Sequence, residues 1–309
     1  FFEYARLAGE LAERSFDAGD NRILASDGAL AMALRSTGMY EDAIELQEQV
    51  VADYRRIFGE DHRDTIEAVY LLGIYYRGDS RFEDSLNTGL EALELARAHL
   101  APDHAQTLRS MTAAGQAFVP LGRFDEALEL LRDVYEVYVE TVGEADHATI
   151  VARTSIAEAL RAAGQIQPSI REFEEIVEIS ERIYGADHED TLRAKDWLST
   201  VYVDVGRYAE ALILAKAVLA ARREAHGERH PATIRSMHQV ANHLGEINAP
   251  EEAVPVAEEA YELATEVLGD DHVITVNVRT TLATAYRRSG RVAESLPIQV
   301  EQTVESVDG

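Results

Sequence analysis

Six of the ten histidines occupy nearly the same place in a repeated motif, which makes them the first candidates for metal chemistry. The motif is a variant of Gly-x-Asp-His, as in Gly59 to His62 and Gly185 to His188, and the other copies contain His104, His147, His230 and His272. Successive copies in a stack of helices lie on the order of 10 Å apart, whereas a zinc ion holds its ligands at about 2 Å. We therefore predict no metal site. The aspartate is predicted to cap the following helix, and the histidine to pack or hydrogen-bond in the turn.

Acidic side chains are the second group whose chemistry needs testing. Pairs such as Glu174–Glu175 and Glu251–Glu252 look like solvated helix faces rather than a glycosidase pair. The sequence contains no Gly-rich phosphate loop, no GxSxG motif and no HExxH motif. It has no cysteine, which excludes disulfides, thiol catalysis and thiolate metal sites. We predict no catalytic residue, no cofactor and no enzyme activity in this chain, and expect any catalysis in a fused domain.

The charge balance limits the class of partner. The chain of 309 residues has 56 acidic and 29 basic residues and a net charge of −27. Such a surface repels nucleic acid and anionic membranes, so neither is an expected partner; the plainer interpretation is that the charge keeps the protein in solution. No apolar run approaches the length of a membrane span and no signal peptide is present, so we expect a cytoplasmic protein.

An internal repeat of 42 residues organises the whole sequence. Threonines recur at this interval at Thr65, Thr107, Thr149, Thr191, Thr233 and Thr275. A second column contains only small residues, namely Ala31, Gly73, Gly115, Ala157, Ser199, Ala241 and Ala283. A third column is suited to helix ends, because glycine and asparagine accept left-handed backbone: Gly38, Ser80, Gly122, Gly164, Gly206, Asn248 and Gly290. Each repeat is therefore predicted to be a hairpin of a first helix (A) and a second helix (B).

Stacking such hairpins buries a continuous core, since one hairpin cannot bury its apolar face alone. We predict a single domain over 1–309, with hairpins at approximately 22–57, 64–99, 107–141, 149–183, 191–225, 233–267 and 275–307. The A helices are predicted to begin at residues 22, 64, 107, 149, 191, 233 and 275. Residues 1–16 are in register with a B helix that has no A partner. We therefore expect that the sequence was cut from a longer protein.

These columns resemble the tetratricopeptide repeat, and the resemblance covers nearly all of the chain. Linkers such as FGEDHRDT (58–65) and YGADHEDT (184–191) resemble the 42-residue repeats of kinesin light chains. They are more similar still to the C-terminal repeats of actinobacterial NB-ARC (STAND) signalling ATPases. GRFDEALELL (122–131) and GRYAEALILA (206–215) resemble the family's turn and second helix. The resemblance implies an all-α, right-handed α-solenoid of about seven tetratricopeptide hairpins plus an N-terminal half repeat.

In that family the A helices line a concave groove that binds a peptide or a partner helix. The resemblance places the following side chains in the groove here: Arg109, Thr112, Gln116, Thr154, Glu158, Arg161, Arg193, Asp196, Trp197, Thr200, Arg235, His238, Gln239, Asn242, Asn277, Thr280, Thr281, Thr284 and Arg287. Kinesin light chains often carry an Asn-Asn pair in the middle of helix A. None of the matching pairs is Asn-Asn: Tyr70–Leu71, Thr112–Ala113, Thr154–Ser155, Asp196–Trp197, His238–Gln239 and Thr280–Thr281. This departure argues against a kinesin-type cargo mode.

Arginines and one tryptophan are the most distinctive groove residues. Arginines recur in two columns, one of Arg109, Arg193 and Arg235 and one of Arg77, Arg161 and Arg287. Because arginine pairs with carboxylates or phosphates, one hypothesis is a groove that takes an acidic or C-terminal segment. The alternative, which we favour from sequence, is that these arginines neutralise glutamates of neighbouring helices. Trp197, the only tryptophan, is interpreted either as a binding hot spot or as a packing residue between repeats.

The sequence supports three hypotheses of function. The first is a protein-binding sensor or scaffold module of a larger signalling protein, with a fused ATPase domain in the parent chain. The second is a free-standing adaptor that bridges two proteins. The third is an enzyme or metal protein built on the repeats, and the absence of motifs argues against it. Because a fold does not fix a function, the first two stay open at this point.

Overall fold

The structure, a computed structural model, describes residue 7 and residues 21–36, 38–270 and 272–295. This part of the chain contains thirteen α-helices, one 3-10 turn at Val119–Leu121 and no strand. The A helices are α1 (Asn21–Ser36), α3 (Arg63–Gly78), α5 (Ala105–Phe118), α7 (His147–Ala162), α9 (Glu189–Asp204), α11 (Pro231–Glu246) and α13 (Val273–Arg288). The B helices are α2 (Tyr40–Phe58), α4 (Phe82–His99), α6 (Phe124–Thr141), α8 (Ile166–Tyr184), α10 (Tyr208–His226) and α12 (Pro250–Leu268).

The all-α fold class predicted from the repeat is confirmed. The A helices begin one or two residues before the positions that the sequence predicted. The predicted helix at 1–16 lies outside the described residues, apart from residue 7, as does the predicted helix at 293–307 after residue 295. That one uninterrupted solenoid spans 1–309 stays a prediction.

The recurring threonine closes the linker before an A helix. Thr65 Oγ1 donates to the carbonyl of Gly59 at 2.7 Å, and Thr191 Oγ1 donates to the carbonyl of Gly185 at 2.8 Å. Thr107 and Thr149 make the same bond six residues back. All four threonine side chains are buried, so each hydroxyl needs a partner and finds it in a carbonyl of the linker. This bond accounts for threonine at four of the six positions. Thr233 instead donates to the carbonyl of Arg222 at 3.3 Å, and Thr275 Oγ1 has no hydrogen-bond partner among the described residues.

The caps of the A helices correct the prediction for the aspartates. The residue immediately before the helix caps it, and in five linkers that residue is the histidine rather than the aspartate: His62, His104, His188, His230 and His272. Each Nδ1 accepts the amide hydrogen of the residue two positions later, for example that of Asp64 at 3.3 Å. Only before α7, where the order is shifted by one residue, does an aspartate, Asp146, cap at 2.8 Å. The recurring histidines therefore serve as N-caps, because their side chains accept a backbone N–H in the first turn of the helix.

The glycine column ends the A helices as predicted. Gly122 has a φ of 73°, and the amide of Arg123 returns to the carbonyl of Phe118 at 3.1 Å. The two non-glycine members, Ser80 and Asn248, adopt the same left-handed backbone with φ of 61° and 59°. Left-handed backbone at this residue turns the chain from helix A into helix B.

Arginines one residue after this turn staple the two helices of a hairpin. The guanidinium of Arg207 lies 3.8 Å from the ring centroid of Tyr202 on helix A and pairs with Glu210 on helix B. Arg81, Arg123 and Arg291 repeat this arrangement over Tyr76, Phe118 and Tyr286. These four arginines therefore make cation–π and ion-pair contacts within their own repeats.

The chain divides into two compact units, Phe1–Gln165 and Ile166–Gly309. The described part of unit 1 holds α1–α7, and its core includes the buried side chains of Val69, Tyr75 and Leu131. Unit 2 holds α8–α13, and Met237, Val240 and Leu244 lie at the centre of its core. Within each unit, small residues let neighbouring helices approach closely. At Gly115 of unit 1, for example, an added Cβ lies only 2.8 Å from Leu131 Cγ.

Candidate partner-binding surface

The nineteen A-helix residues predicted to line a groove are defined here as the A-helix face. None of them is buried. The unit 1 face comprises Arg109, Thr112, Gln116, Thr154, Glu158 and Arg161. The unit 2 face comprises Arg193, Asp196, Trp197, Thr200, Arg235, His238, Gln239, Asn242, Asn277, Thr280, Thr281, Thr284 and Arg287. Each unit therefore presents a row of polar side chains on its A helices, and their use as a binding site stays a prediction.

In unit 1 the face is crossed by a ladder of hydrogen bonds. Arg77 Nη1 donates to Gln116 Oε1, and Gln116 Nε2 donates to Ser155 Oγ at 2.8 Å. The ladder joins three successive A helices, α3, α5 and α7. Thr112 and Thr154 donate to carbonyls one turn back in their own helices, at 2.8 and 2.9 Å. The donors and acceptors of this face are thus largely engaged with one another.

The charges of the unit 1 face are compensated within the unit. Arg109 Nη2 pairs with Glu67 of α3 at 2.6 Å, and the guanidinium lies 5.4 Å from the ring centroid of Tyr70. Burial raises the pKa of the Glu158 carboxyl, while Arg77 and Arg161 act in the opposite direction. At Arg109 the arginine therefore neutralises a glutamate on the neighbouring A helix, as the alternative interpretation of the sequence expects.

In unit 2 the corresponding face is held by a neutral network. Asn242 Nδ2 lies 3.1 Å from His238 Nε2, and Thr281 Oγ1 donates to Asn242 Oδ1 at 2.9 Å. His238 Nε2 is also 2.9 Å from Thr281 Oγ1. Burial lowers the pKa of His238 to about 4, with a smaller contribution from His243. The imidazole is therefore uncharged at neutral pH, and Nε2 can accept the amide hydrogen of Asn242.

This network forms one wall of a cleft between α11, α12 and α13. The cleft has a volume of about 180 Å³, and its lining includes Asn242, Thr280, Thr281, Thr284 and Arg288. Two arginines stand at the last turn of α13: Arg287 Nη2 donates to Thr284 Oγ1 at 3.0 Å, and Arg288 Nη1 donates to the carbonyl of Gly245 at 2.6 Å. Within the described part of the chain, neither arginine is in an ion pair with a carboxylate. Glu246 also lines the cleft, so neutral polar groups, Arg288 and a carboxylate are combined there.

Trp197 both packs against a neighbouring helix and remains partly exposed to solvent. Its ring stacks on Phe173 of α8, with centroids 6.2 Å apart and planes inclined by 11°. It nevertheless keeps 37% of its surface exposed, so one face of the indole packs and part of the ring remains accessible. A supported and accessible indole is a suitable anchor for a partner side chain.

Arg222 is a buried arginine that the sequence analysis did not single out, and it forms an ion pair with Asp196. Arg222 of α10 is 2% exposed, and its Nη1 donates to Asp196 Oδ2 at 2.7 Å and to Ser236 Oγ at 2.8 Å. Its Nη2 pairs with Glu189 at 2.8 Å. Burial raises the pKa of Asp196 and the bond to Arg222 opposes this. One signal existed in the sequence, because Arg222 falls in a column otherwise made of Tyr54, Ala96, Tyr138, Ser180 and Ala264.

The remaining residues of the unit 2 face divide by their contacts. Arg193 forms an ion pair with Asp190 in the preceding turn of α9. Thr200 and Thr280 donate to carbonyls of their own helices, both at 3.0 Å. Gln239 and the exposed Asn277 lie on α11 and α13. Arg235 is exposed, and in the described structure no carboxylate is within ion-pair distance of it, although it acts on Asp196 at longer range.

The described residues contain no group of three or more histidine, aspartate or glutamate side chains placed to hold a metal ion. Among the same residues, no helix combines the length and the apolar character needed to cross a membrane.

Comparison with protein families gives one clear result. The chain matches the model of the tetratricopeptide repeat over residues 22–98, 80–140, 148–216, 194–266 and 250–299, which together span most of its length. No match is found among curated proteins.

Solved structures share the fold of the chain at low sequence identity. The nearly identical TPR-like repeats assigned to a kinesin light chain of Podosopora anserina are 24% identical, with a TM-score of 0.57, and the match covers 66% of this chain and 95% of that one. A STAND protein with a tetratricopeptide repeat sensor from Pyrococcus horikoshii is 13% identical with a TM-score of 0.60, and the match covers 98% and 44% of the two chains. NprR in complex with its cognate peptide NprX is also 13% identical with a TM-score of 0.60, at 98% and 82% coverage.

Proposed function

The chain belongs to the tetratricopeptide repeat family, and on that premise we propose that its A-helix face binds a peptide or an extended segment of a partner protein. Repeats of this kind stack into surfaces that generally serve protein–protein interaction. In this proposal the chain itself is not an enzyme, and its function is binding.

The observation that carries the proposal is the composition of the unit 2 face. Trp197 offers a supported aromatic surface, and Asn242 and Thr281 are joined by a hydrogen bond at the edge of a cleft of about 180 Å³. Side chains that are already ordered lose little conformational entropy when a ligand arrives. NprR has the same fold and is solved with a peptide, which agrees with peptide binding by such a surface.

We further propose that the segment bound by unit 2 is acidic. Arg235, Arg287 and Arg288 lie on α11 and α13, and in the described structure none of the three is paired with a carboxylate. Asp196 does not offset them fully, because Arg222 already holds its carboxylate. Arginines in this state attract carboxylates of a ligand, and the three outnumber Glu246, which also lines the cleft.

A displayed library of random peptides of about ten residues tests the binding site, with the purified chain as the target. Peptides that are enriched are expected to bind the Trp197→Ala and Asn242→Ala variants about tenfold more weakly, as loss of an interface anchor implies. The matched control is Ile213→Ala, which removes an apolar side chain that is 67% exposed on the B helix α10 of the same unit. Selected peptides that bind all three variants like the original chain would rule out the unit 2 face as the site.

The same selection tests the acidic preference separately. The enriched peptides are expected to contain more aspartate and glutamate than the library, and Arg235→Glu is expected to weaken their binding about tenfold. Enrichment of neutral or basic peptides that still depend on Trp197 would contradict the acidic preference and leave the binding site in place.

The wider role that we propose is that of a sensor or scaffold within a larger signalling protein. The support is the shared fold with a STAND protein that has a tetratricopeptide repeat sensor, of which the match covers 44%. The sequence of the complete gene tests this role, because the proposal requires an ATPase domain in the same open reading frame. A gene without that domain favours the alternative, an adaptor that bridges two proteins through the faces of its two units.

A further inference from the structure

A second cleft in unit 1 lies outside the A-helix face. It is formed by the end of α4, the linker to α5, the start of α5 and the second half of α6, and has a volume of about 490 Å³. Its lining includes the apolar side chains Leu100, Pro102, Met111 and Val137. A cleft of this size accommodates several side chains of a ligand.

The cleft faces away from the A-helix face of α5. Successive residues of a helix are separated by about 100°, so Thr107 and Met111 of the cleft point in nearly the opposite direction to Arg109 and Gln116. A ligand in this cleft therefore does not occupy the surface proposed above.

The linker between α4 and α5 has no aromatic ring beside the cleft, as is also the case at the equivalent residues Val142 and Leu268. The equivalent residues Phe58 and Tyr184 place an aromatic ring on the capping histidine, with centroids 4.8 and 4.9 Å apart. Here the position is occupied by the smaller Leu100, and Pro102 follows it. No ring fills the space above Met111.

An ion pair that joins two other pairs of successive B helices is missing beside this cleft. Arg223 pairs at 2.8 Å with Glu259, the residue 36 positions later on the next B helix, and Arg55 pairs with Glu91 in the same way. Arg97 and Asp133 have the same spacing and both line the cleft, yet they form no ion pair in the described structure. The ion pair that joins α2 to α4 and α10 to α12 is therefore absent between α4 and α6.

The rim of the cleft is acidic on one side. Asp133, Glu136 and Glu140 form a stripe on α6 at positions i, i+3 and i+7, about 10 Å long. All three are exposed, and in the described part of the chain none of them is in an ion pair. Like charges in such a stripe repel one another, and cations of a ligand relieve the repulsion.

We propose that this cleft docks a basic amphipathic helix of a partner protein, whose apolar side chains enter the space lined by Leu100, Met111 and Val137. Lysines or arginines on the flank of that helix pair with Asp133, Glu136 and Glu140. The charge complementarity commits the occupant to a cationic segment, in contrast to the acidic segment proposed for unit 2.

The probe is a synthetic amphipathic peptide of leucine and lysine, about 18 residues long so that it forms a helix, with a matched peptide of leucine and glutamate as the control. Fluorescence anisotropy of the labelled peptide measures its binding to the full chain. We expect saturable binding of the lysine peptide that weakens with added salt, and no saturable binding of the glutamate peptide.

Two double variants separate the cleft from the general attraction of a negative protein for a cation. Glu136→Lys with Glu140→Lys changes the rim, and Glu41→Lys with Glu45→Lys changes an equally spaced exposed pair on α2. Both variants move the net charge from −27 to −23. The rim variant is expected to weaken binding about tenfold and the control at most about twofold. Equal weakening by both variants overturns the proposal.

A filled cleft provides a test that does not depend on charge. Leu100→Phe introduces the residue found at the equivalent position 58, so the linker can hold it, and it is expected to weaken binding about fivefold. Helix content measured by circular dichroism verifies that the variant folds. Unchanged affinity for Leu100→Phe also overturns the proposal. Trp197→Ala is expected to leave this binding unchanged, which distinguishes the cleft from the unit 2 face.

Discussion

The faces of the two units are built on the same columns and differ in what their charges are attached to. In unit 1, Arg109 is held by Glu67, and Arg77 is held in a ladder that ends at Ser155. In unit 2, the face carboxylate of Asp196 is held by Arg222, an arginine from a B helix that is almost entirely buried. In unit 1, Arg109 is therefore neutralised by a glutamate of the neighbouring A helix, whereas in unit 2 the carboxylate of Asp196 is neutralised by a buried arginine.

This difference shows that the charge of a binding face is not the count of its charged residues. Arg222 binds the carboxylate of Asp196. In the described structure, Arg235 and the arginines of α13 therefore have no carboxylate partner. The equivalents of Trp197 in unit 1 are Leu71, Ala113 and Ser155, so the aromatic anchor also belongs to unit 2 alone. The two units share a framework but offer different surfaces to a partner.

Removal of Arg222 is expected to have the largest effect. Arg222→Ala leaves Asp196 and Ser236 without their buried donor, and the free energy of unfolding is expected to fall by about 4 kcal/mol. Urea denaturation followed by circular dichroism measures the change. Arg229→Ala, which breaks an exposed pair with Glu266, is the control, with an expected loss of at most about 1 kcal/mol. Similar losses in both variants contradict the buried role of Arg222.

Acidification is expected to destabilise the unit 2 face through His238. Its pKa is 6.5 in the unfolded chain and about 4 in the folded one, so the unfolded chain takes up the proton first as the pH falls. The stabilisation is complete above pH 6.5 and is lost as the pH falls towards 4, by about 3 kcal/mol in all. His238→Gln is expected to remove most of this slope in urea denaturation between pH 7 and 4. His243, whose pKa burial also lowers, retains a slope of the same sign.

Trp197→Ala is expected to cost unit 2 about 1.5 kcal/mol, because the indole is only partly buried against Phe173. The same indole reports on the proposed binding: saturation with an enriched peptide is expected to shift its fluorescence emission. Emission that stays unchanged at saturation assigns Trp197 to packing alone. No residue of unit 1 provides an equivalent signal, since Trp197 is the only tryptophan.

The carboxyl group of the unit 1 face is expected to respond to acid with the opposite sign. Burial raises the pKa of Glu158, so the folded chain takes up this proton before the unfolded chain does. Its contribution to stability is therefore fully present at low pH and is lost as the pH rises through the folded-state pKa. Glu158→Gln is expected to stabilise the chain at pH 7 by about 1 kcal/mol or less and to have no effect near pH 4. Destabilisation at pH 7 indicates that Arg77 and Arg161 outweigh burial.

The sequence predicted the framework well because each column follows from one local requirement. Four of the threonines reach a carbonyl six residues back, and residues such as Gly122 must adopt left-handed backbone. The caps were assigned to the wrong residue because position, rather than residue type, decides. In five linkers the histidine directly precedes the helix, and only at Asp146 does the aspartate do so.

The charge pattern of the faces was not predictable in the same way. Arg222 binds Glu189 and Asp196, which precede it by 33 and 26 residues, so the contacts depend on how α9 and α10 pack. Pairs such as Arg109 with Glu67 follow the repeat spacing of 42 and were foreseen as an alternative. Sequence therefore located the face, while packing decided which of its charges remain available.

The smallest effect is expected for the ion pair between Arg109 and Glu67 on the A-helix face of unit 1. A double-mutant cycle of Arg109→Ala and Glu67→Ala is expected to give a coupling energy of about 0.5 kcal/mol, because both side chains are substantially exposed, at 47% and 32%. The corresponding cycle of Arg222→Ala and Asp196→Ala is expected to give several times that value, since the guanidinium is only 2% exposed. Equal coupling in the two cycles contradicts the contrast between the faces. A small value at Arg109 with a large one at Arg222 means that an acidic ligand could displace Glu67 from Arg109 at little cost, so the preference for unit 2 then depends on Trp197 and the cleft rather than on charge alone.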